Sequence, residues 1–150
     1  MSPEEKAVWL RRINEGFCEK VPHNRSLGLE ILDFDDSGCV CRIPFRDDLS
    51  AISTQSGFHF GVVISLLDAA SGGAAFIKLK GGSRVATLDL RVDFPVTEVK
   101  GDMLWASATC YRVTEHVAFT RAVAYLEEES EPVGVAMGTF RIFRRSTNGH

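Results

Sequence analysis

The sequence lacks the patterns that mark several common classes of protein. Its formal net charge is −3, so it has no basic excess of the kind that attracts nucleic acids or anionic membranes. None of its four cysteines belongs to a C-x-x-C pair, and no set of His, Cys and carboxylate residues has metal-ligand spacing. We therefore expect no zinc or other metal site and no dithiol redox site, and we interpret the cysteines as reduced thiols of a cytoplasmic protein.

Other absences narrow the possibilities further. There is no G-x-S-x-G elbow, which argues against a serine hydrolase. Charges are scattered through the N-terminal stretch "MSPEEKAVWLRRINEGF", which is unlike a signal peptide. No run of about 18 uncharged apolar residues occurs, so we expect no membrane span. Without repeats or low-complexity tracts, the 150 residues are expected to form a single domain.

Apolar periodicity predicts one α+β architecture along the chain. Residues 3–19 are expected to form an amphipathic helix capped by Ser2 and Glu5, followed by a break at "EKVPHNRS". A second helix, over 62–80, is apolar nearly all round and should therefore be buried. Strands are expected at 27–35, 39–46, 84–94, 102–113, 117–128 and 133–145. The central helix and the long strands have matching lengths, so we expect a curved antiparallel sheet wrapped around this helix.

The stretch "FHFGVVISLLDAASGGAAF", residues 58–76, places a single carboxylate in the most apolar segment. Ser65, Asp68 and Ser71 are its only polar side chains between His59 and Lys78, and their spacing of three puts them on one side of a helix. One interpretation is that backbone or serine groups hold Asp68 and that it only orders the core. The other is that Asp68 is a functional acid beside a groove.

The residues "SGFHFG" directly before this helix favour the functional interpretation. Free N–H groups at a helix start bind an oxyanion well, and glycine lets a substrate carbonyl approach the backbone. Phe60 and Asp68 are eight residues apart, or about 12 Å along a helix, whereas hydrogen-bond reach is about 3 Å. If both serve one carbonyl, a second chain must supply one of them, which predicts a two-fold dimer with shared sites.

Two segments together resemble one known family. "HFGVVISLLDAASGGAA" is similar to the H-G-G-V…D-x-A segment of the hotdog-fold acyl-CoA thioesterases, in the phenylacetate-pathway-like branch of the 4-hydroxybenzoyl-CoA thioesterase superfamily. "RVATLDLRVDFPV" is similar to the strand that follows the helix in that branch. The resemblance covers roughly 26–145. It implies a hotdog fold, an acyl-CoA substrate with no other cofactor, and a homodimer or a dimer of dimers.

The resemblance also implies roles for particular residues. The helix acid that activates water or attacks the thioester corresponds to Asp68, the oxyanion N–H to Phe60, and the strand hydroxyl that places the water to Thr87. His59 and Gly61 belong to the substrate-binding turn. A side-chain amide common six residues before the histidine is replaced by Ser53, with Gln55 nearby as a substitute.

Phe60 itself is a departure, because it stands where the family has the first glycine of the pair. Its N–H is retained, but its ring either narrows the acyl pocket or blocks it. The resemblance therefore predicts hydrolysis of an acyl or aryl thioester to free acid and coenzyme A. Two alternatives remain: a non-catalytic acyl-CoA binder on the same fold, which Phe60 favours, and an enoyl-CoA hydratase or dehydratase. For His59, general-base action and a ring that fixes the oxyanion turn are both open.

Overall fold

A computed structural model of the chain describes residues 1–52 and 57–145. Its helices are α1 (Pro3–Ile13), which continues into a π-helical turn (Asn14–Glu19), α2 (Pro22–Leu27) and α3 (Phe60–Lys78), with a short 3₁₀ turn at Asp47–Leu49. Its strands are β1 (Glu30–Phe34), β2 (Gly38–Pro44), β3 (Ser83–Asp93), β4 (Met103–Val113), β5 (Val117–Tyr125) and β6 (Gly134–Arg144). The predicted N-terminal helix, central helix and strands are all present.

The N-terminal region contains one helix more than predicted. The capping box is confirmed, since Glu5 N donates to Ser2 Oγ at 3.1 Å and Ser2 N donates to Glu5 Oε2 at 2.6 Å. The stretch expected to be a break instead forms α2, with Pro22 in its first turn and Gly28 ending it at φ 69°. The side chain of buried Asn24 donates to Phe17 O and ties α2 to the preceding turn.

The six strands form one antiparallel sheet in the order β1-β2-β4-β5-β6-β3. The β1–β2 turn is held by Asp35, whose Oδ1 accepts from the backbone N–H groups of Ser37 and Gly38. This order makes β1 and β3 the two edges of the sheet. β3 is eleven residues long and β1 only five, so β3 is by far the longer edge.

Helix α3 lies against five of the six strands, which confirms the predicted core. Five strands span about 19 Å and a helix with its side chains about 11 Å, so the sheet must curve to follow the helix. Its inner face is rich in alanine, which leaves room for the helix to approach. The buried alanines of this face are Ala106, Ala108, Ala118, Ala122, Ala124 and Ala136.

The bounds of α3 differ by two residues at each end from the expected helix. It begins at Phe60 because His59 caps it, and the chain leaves it through Gly81, whose φ of 68° suits glycine. Gly72 and Gly73 lie in the buried middle of α3, and the atoms nearest to them belong to side chains. A Cβ at Gly72 would meet the Phe140 ring at 3.4 Å, and one at Gly73 would meet Cys39 Sγ at 3.4 Å.

By length and composition alone, α3 could cross a membrane. Eleven of its nineteen residues are buried in the structure, and α3 is therefore the core helix of this fold. It is the one helix within residues 1–52 and 57–145 that meets this test.

Candidate active site

The start of α3 is fixed by a histidine cap. Gly61 N donates to His59 Nδ1 at 2.8 Å, so this ring nitrogen is the acceptor and a neutral ring carries its proton on Nε2. A Cβ on Gly61 would lie 2.9 Å from the same nitrogen, and glycine is therefore needed for the ring to fold back. The geometry is that of a ring that fixes the turn. It also engages the Gly61 N–H, which cannot at the same time bind a substrate oxygen.

The preceding backbone is anchored on both sides. Phe58 N donates to Val99 O at 2.7 Å, and His59 N donates to Leu49 O at 2.8 Å. The ring of Phe58 is buried and meets Phe45 edge-on, with ring centroids 5.2 Å apart. These contacts hold the first turn of α3 in one place, which an oxyanion site requires.

The amide of Phe60 is the N–H that remains available at this turn. No acceptor for it is found within residues 1–52 and 57–145. It lies at the positive end of the α3 dipole, where a negatively charged oxygen is stabilised. The Phe60 ring stacks on Phe94, with centroids 4.4 Å apart and planes inclined by 9°. Sequence reasoning did not anticipate this stack, because Phe94 lies on a distant segment beyond β3.

Two turns further along α3, Asp68 is bound by a strand residue. Thr87 Oγ1 on β3 donates to Asp68 Oδ1 at 2.7 Å. Asp68 is half-buried, so the chain alone does not seal it from solvent. In the part of the chain that the structure describes, Oδ2 of Asp68 has no hydrogen-bond partner. The hydroxyl orients the carboxylate and leaves one oxygen open.

Two apolar side chains on the elements that carry Asp68 and Thr87 are exposed. Ile64, one turn before Asp68, is 41% exposed, and Leu88, next to Thr87, is 57% exposed. Leu88 sits at a register shift between Thr87 and Asp89, where β3 bulges away from β6. Exposed apolar groups beside a charged one are typical of a surface that a ligand or a partner chain covers.

Ser65 and Ser71 are the other two polar residues on this side of α3, and Ser65 has an unexpected partner. His23 Nε2 on α2 lies 2.9 Å from Ser65 Oγ. Ser71 Oγ is fully buried and has no hydrogen-bond partner among the described residues. The sequence shows a histidine beside Pro22, but its pattern of residues did not indicate that His23 would contact Ser65 on α3. Ser53 and Gln55, the two expected loop residues, lie outside the described residues.

Within one chain the two halves of the site stay apart. Phe60 and Asp68 lie on the same straight helix, so the rise of eight residues separates them by about 12 Å. No single carbonyl can contact both. The structure thus brings Asp68 to Thr87 and His59 to Gly61, but it does not bring the acid to the Phe60 amide.

No cluster that could hold a metal occurs in the described parts of the chain, 1–52 and 57–145. All four cysteines are free and buried. Burial raises the pKa of Cys18 to about 11 and also raises that of Cys110, while the neighbouring Cys39 thiol is the main cause that raises the pKa of Cys41. These thiols pack in the core and do not line the Asp68 site.

Comparison with known proteins agrees with this geometry. The model of the thioesterase superfamily matches residues 57–133, the segment that carries the helix start, Asp68 and Thr87. The medium/long-chain acyl-CoA thioesterase YigI of Escherichia coli is 27% identical over 135 residues, which cover 80% of this chain and 85% of YigI. A Halobacterium salinarum protein named as a candidate esterase is 33% identical over 126 residues. The match covers 79% of this chain and 82% of the length of that protein.

A solved structure from Pseudomonas aeruginosa shares the fold, with a TM-score of 0.79 and 29% identity over 88% of this chain and 97% of that one. One core helix in a curved antiparallel sheet is the hotdog architecture of thioesterase-family proteins, and this chain has a half-buried acid on that helix beside an edge strand. The chain belongs to the thioesterase superfamily. The predicted family, fold and enzyme class are confirmed.

Proposed function

We propose that this protein hydrolyses an acyl-CoA thioester to a free acid and coenzyme A, at sites shared between the two chains of a homodimer. The observation that carries the proposal is the open carboxylate of Asp68, oriented by Thr87 on a thioesterase-superfamily fold. The names of the relatives support the substrate class, since YigI is an acyl-CoA thioesterase. Coenzyme A then enters as part of the substrate, and the reaction needs no further cofactor.

The edge strand β3 supports the shared site. Seven of its eleven residues are exposed, and its outer edge carries no partner strand within the described chain. A long exposed edge is normally covered or paired. Two copies that pair their β3 edges about a two-fold axis form one continuous sheet, and the partner arrives beside Thr87, Leu88 and Asp68. The proposal requires that in such a pair the helix start of one chain lies beside the acid of the other.

The chemistry follows from the placed groups. The free oxygen of Asp68 takes a proton from water as the water oxygen bonds to the thioester carbon, while Thr87 holds the other carboxylate oxygen. The carbonyl electrons move onto its oxygen, which the Phe60 N–H of the other chain stabilises. Collapse breaks the C–S bond, and the coenzyme A thiolate takes up the proton that Asp68 removed from water. In the nucleophilic alternative, Asp68 attacks the carbonyl carbon and expels the coenzyme A thiolate, and water then hydrolyses the mixed anhydride to the free acid and restores Asp68.

The proposal is tested by thiol release from a panel of straight-chain and aryl acyl-CoA substrates. Asp68→Asn keeps the size of the side chain and removes the proton acceptor, so kcat should fall by about a hundredfold or more. The matched control is Asp102→Asn, in the loop before β4. Equal rates for wild type and Asp68→Asn would remove Asp68 from the mechanism.

The same assay separates the non-catalytic alternative. A protein that binds acyl-CoA in a calorimeter but releases no thiol from any substrate would be a binder, and the hydrolase proposal would then be wrong. Addition of water to an enoyl-CoA, followed by absorbance, tests the hydratase alternative in parallel.

A further inference from the structure

The residue that provides the free amide also provides an aromatic ring. Phe60 is the first residue of α3, and its half-buried ring stacks at 4.4 Å on Phe94, just beyond the end of β3. Both rings pack against the core, and Pro95 restricts the backbone after Phe94. The Phe60 ring is therefore held in place by a second element and is not a freely turning side chain.

Covalent structure places this ring beside the reacting carbonyl. The Cβ of Phe60 is separated from its amide nitrogen only by Cα, so an oxygen bound by that N–H brings its neighbouring atoms close to the ring. On the sulfur side, the pantetheine arm is the same in every acyl-CoA. The ring can therefore discriminate between substrates only through the acyl carbons next to the carbonyl.

The same side of the helix offers apolar surface beyond that point. Ile64 lies one turn after Phe60 on the same face and is 41% exposed. An unbranched chain can leave the carbonyl past the ring and lie on such a surface. A second carbon substituent on the carbon next to the carbonyl has to displace a stacked pair that packs against the core.

We propose that Phe60, fixed by Phe94, is a specificity-determining wall that excludes acyl groups in which the carbon bonded to the thioester carbonyl is branched or belongs to a ring. This inference rests on the proposed thioesterase function and adds its substrate selectivity. It also assigns a use to the phenylalanine that stands where the family has glycine.

The test compares kcat/KM within two matched substrate pairs, octanoyl-CoA against α-methyl-octanoyl-CoA and phenylacetyl-CoA against benzoyl-CoA. Wild type should prefer the first member of each pair by about tenfold or more, the usual value of a misplaced carbon in a fitted pocket. Phe60→Ala should bring both ratios close to one by raising kcat/KM for the branched substrates. Phe94→Ala, which only releases the ring, should lower the ratios partway.

Phe143→Ala is the matched control, since Phe143 is an exposed phenylalanine on β6 and should keep the wild-type ratios. Thermal melting checks folding, and Phe60→Leu substitutes for Phe60→Ala if the latter does not fold. The inference is overturned if wild type shows no preference. It is also overturned if the Phe60 variants lower kcat/KM equally for all substrates, which is the result expected when the lost ring contacts the pantetheine arm that they share. A wild type that hydrolyses no substrate at all instead overturns the proposed function.

Discussion

Thr87 donates a 2.7 Å hydrogen bond to Oδ1 of Asp68, and this contact joins the edge strand β3 to the middle of the core helix. A carboxylate on a mobile side chain would sample several rotamers, whereas this one is held with one oxygen engaged. The remaining oxygen has no hydrogen-bond partner among the described residues, and Ile64 on the helix and Leu88 on β3 are both exposed. On the proposed function, Thr87 positions the carboxylate and Asp68 takes part in the chemical step.

Thr87→Val keeps the shape of the side chain and removes the donor. A hydrogen bond to a charged group contributes about 1.5–3 kcal/mol, so we expect kcat to fall by about tenfold to a hundredfold. KM should change little, and Thr87→Ser should retain most of the activity because the hydroxyl remains. Steady-state thiol release measures both parameters. A Thr87→Val protein that keeps the wild-type kcat would contradict the role of the hydroxyl.

Substitutions of His59 can separate its role as the cap of α3 from a role in proton transfer. Asn is a good N-cap, so His59→Asn should keep most of the stability and most of kcat, while His59→Leu should lose about 1 kcal/mol of unfolding free energy. Urea unfolding and thiol release check the two readouts. A large loss of kcat in a stable His59→Asn protein would mean that the ring itself takes part in proton transfer.

Gly61→Ala tests the same turn from the other side. The new Cβ would lie 2.9 Å from His59 Nδ1, so the ring must move and the helix start with it. We expect lower kcat and a lower melting temperature. Gly16→Ala is the control, because a Cβ there meets nothing within 4 Å. It should leave activity unchanged and keep or raise stability.

The exposed edge predicts the assembly. If β3 pairs with its copy, Leu88→Lys buries a charge at the contact and should shift the protein from dimer toward the 16.5 kDa monomer, with loss of activity. Met137→Lys, at a similarly exposed apolar residue on β6, is the matched control and should leave the dimer of β3 edges intact. Sedimentation velocity reads the mass. A Leu88→Lys protein that keeps the wild-type mass and activity would contradict the β3 pairing.

The buried thiols predict a loss of stability in alkali. The pKa of Cys18 rises from 9.0 to about 11 in the folded chain because burial disfavours the thiolate. The Cys18 thiol ionises at lower pH in the unfolded chain than in the folded chain. The stability that its burial as a neutral thiol contributes is therefore fully present below about pH 9 and should be lost as the pH rises toward 11. Urea unfolding across this range should show the fall, and Cys18→Ala should make it shallower. A Cys18→Ala protein with an unchanged slope would assign the fall to other groups.

Much of the fold could be predicted because its pattern is local. Alternating residues marked the strands that turn one face to α3, and an almost wholly apolar segment marked the helix they enclose. Helix α2 was missed because six residues give no helical period and "PHNRS" is rich in turn formers. Its stability comes from distant contacts, namely Asn24 with Phe17 and His23 with Ser65.

In the candidate site, too, the sequence predicted the local features and not those that depend on distant contacts. Asp68 and the helix start stood out from local chemistry, and Thr87 came from the resemblance of a whole strand. The Phe60–Phe94 stack could not be found because it joins the start of α3 to a segment beyond β3, and the bulge at Leu88 could not be found because it depends on how β3 pairs with β6. The dimer was inferred from the length of a helix, and it stays a prediction.

Two substitutions allow the shared site to be tested directly. Phe60→Pro removes the oxyanion N–H, and proline is tolerated at the first position of a helix. His59 already has the extended ψ of 139° that a residue before proline prefers. Phe60→Ala is the control that loses the ring but keeps the amide. Asp68→Asn removes the acid, and each single variant should be nearly inactive as a pure dimer.

The most direct measurement mixes unfolded Asp68→Asn and Phe60→Pro chains, refolds them together and records thiol release. Half of the dimers are then mixed, and each carries one site with both defects and one intact site, so activity should return to about a quarter of wild type. Differently tagged chains and native mass spectrometry confirm that mixed dimers form. Mixed dimers that stay as inactive as their parents would contradict a site built from two chains.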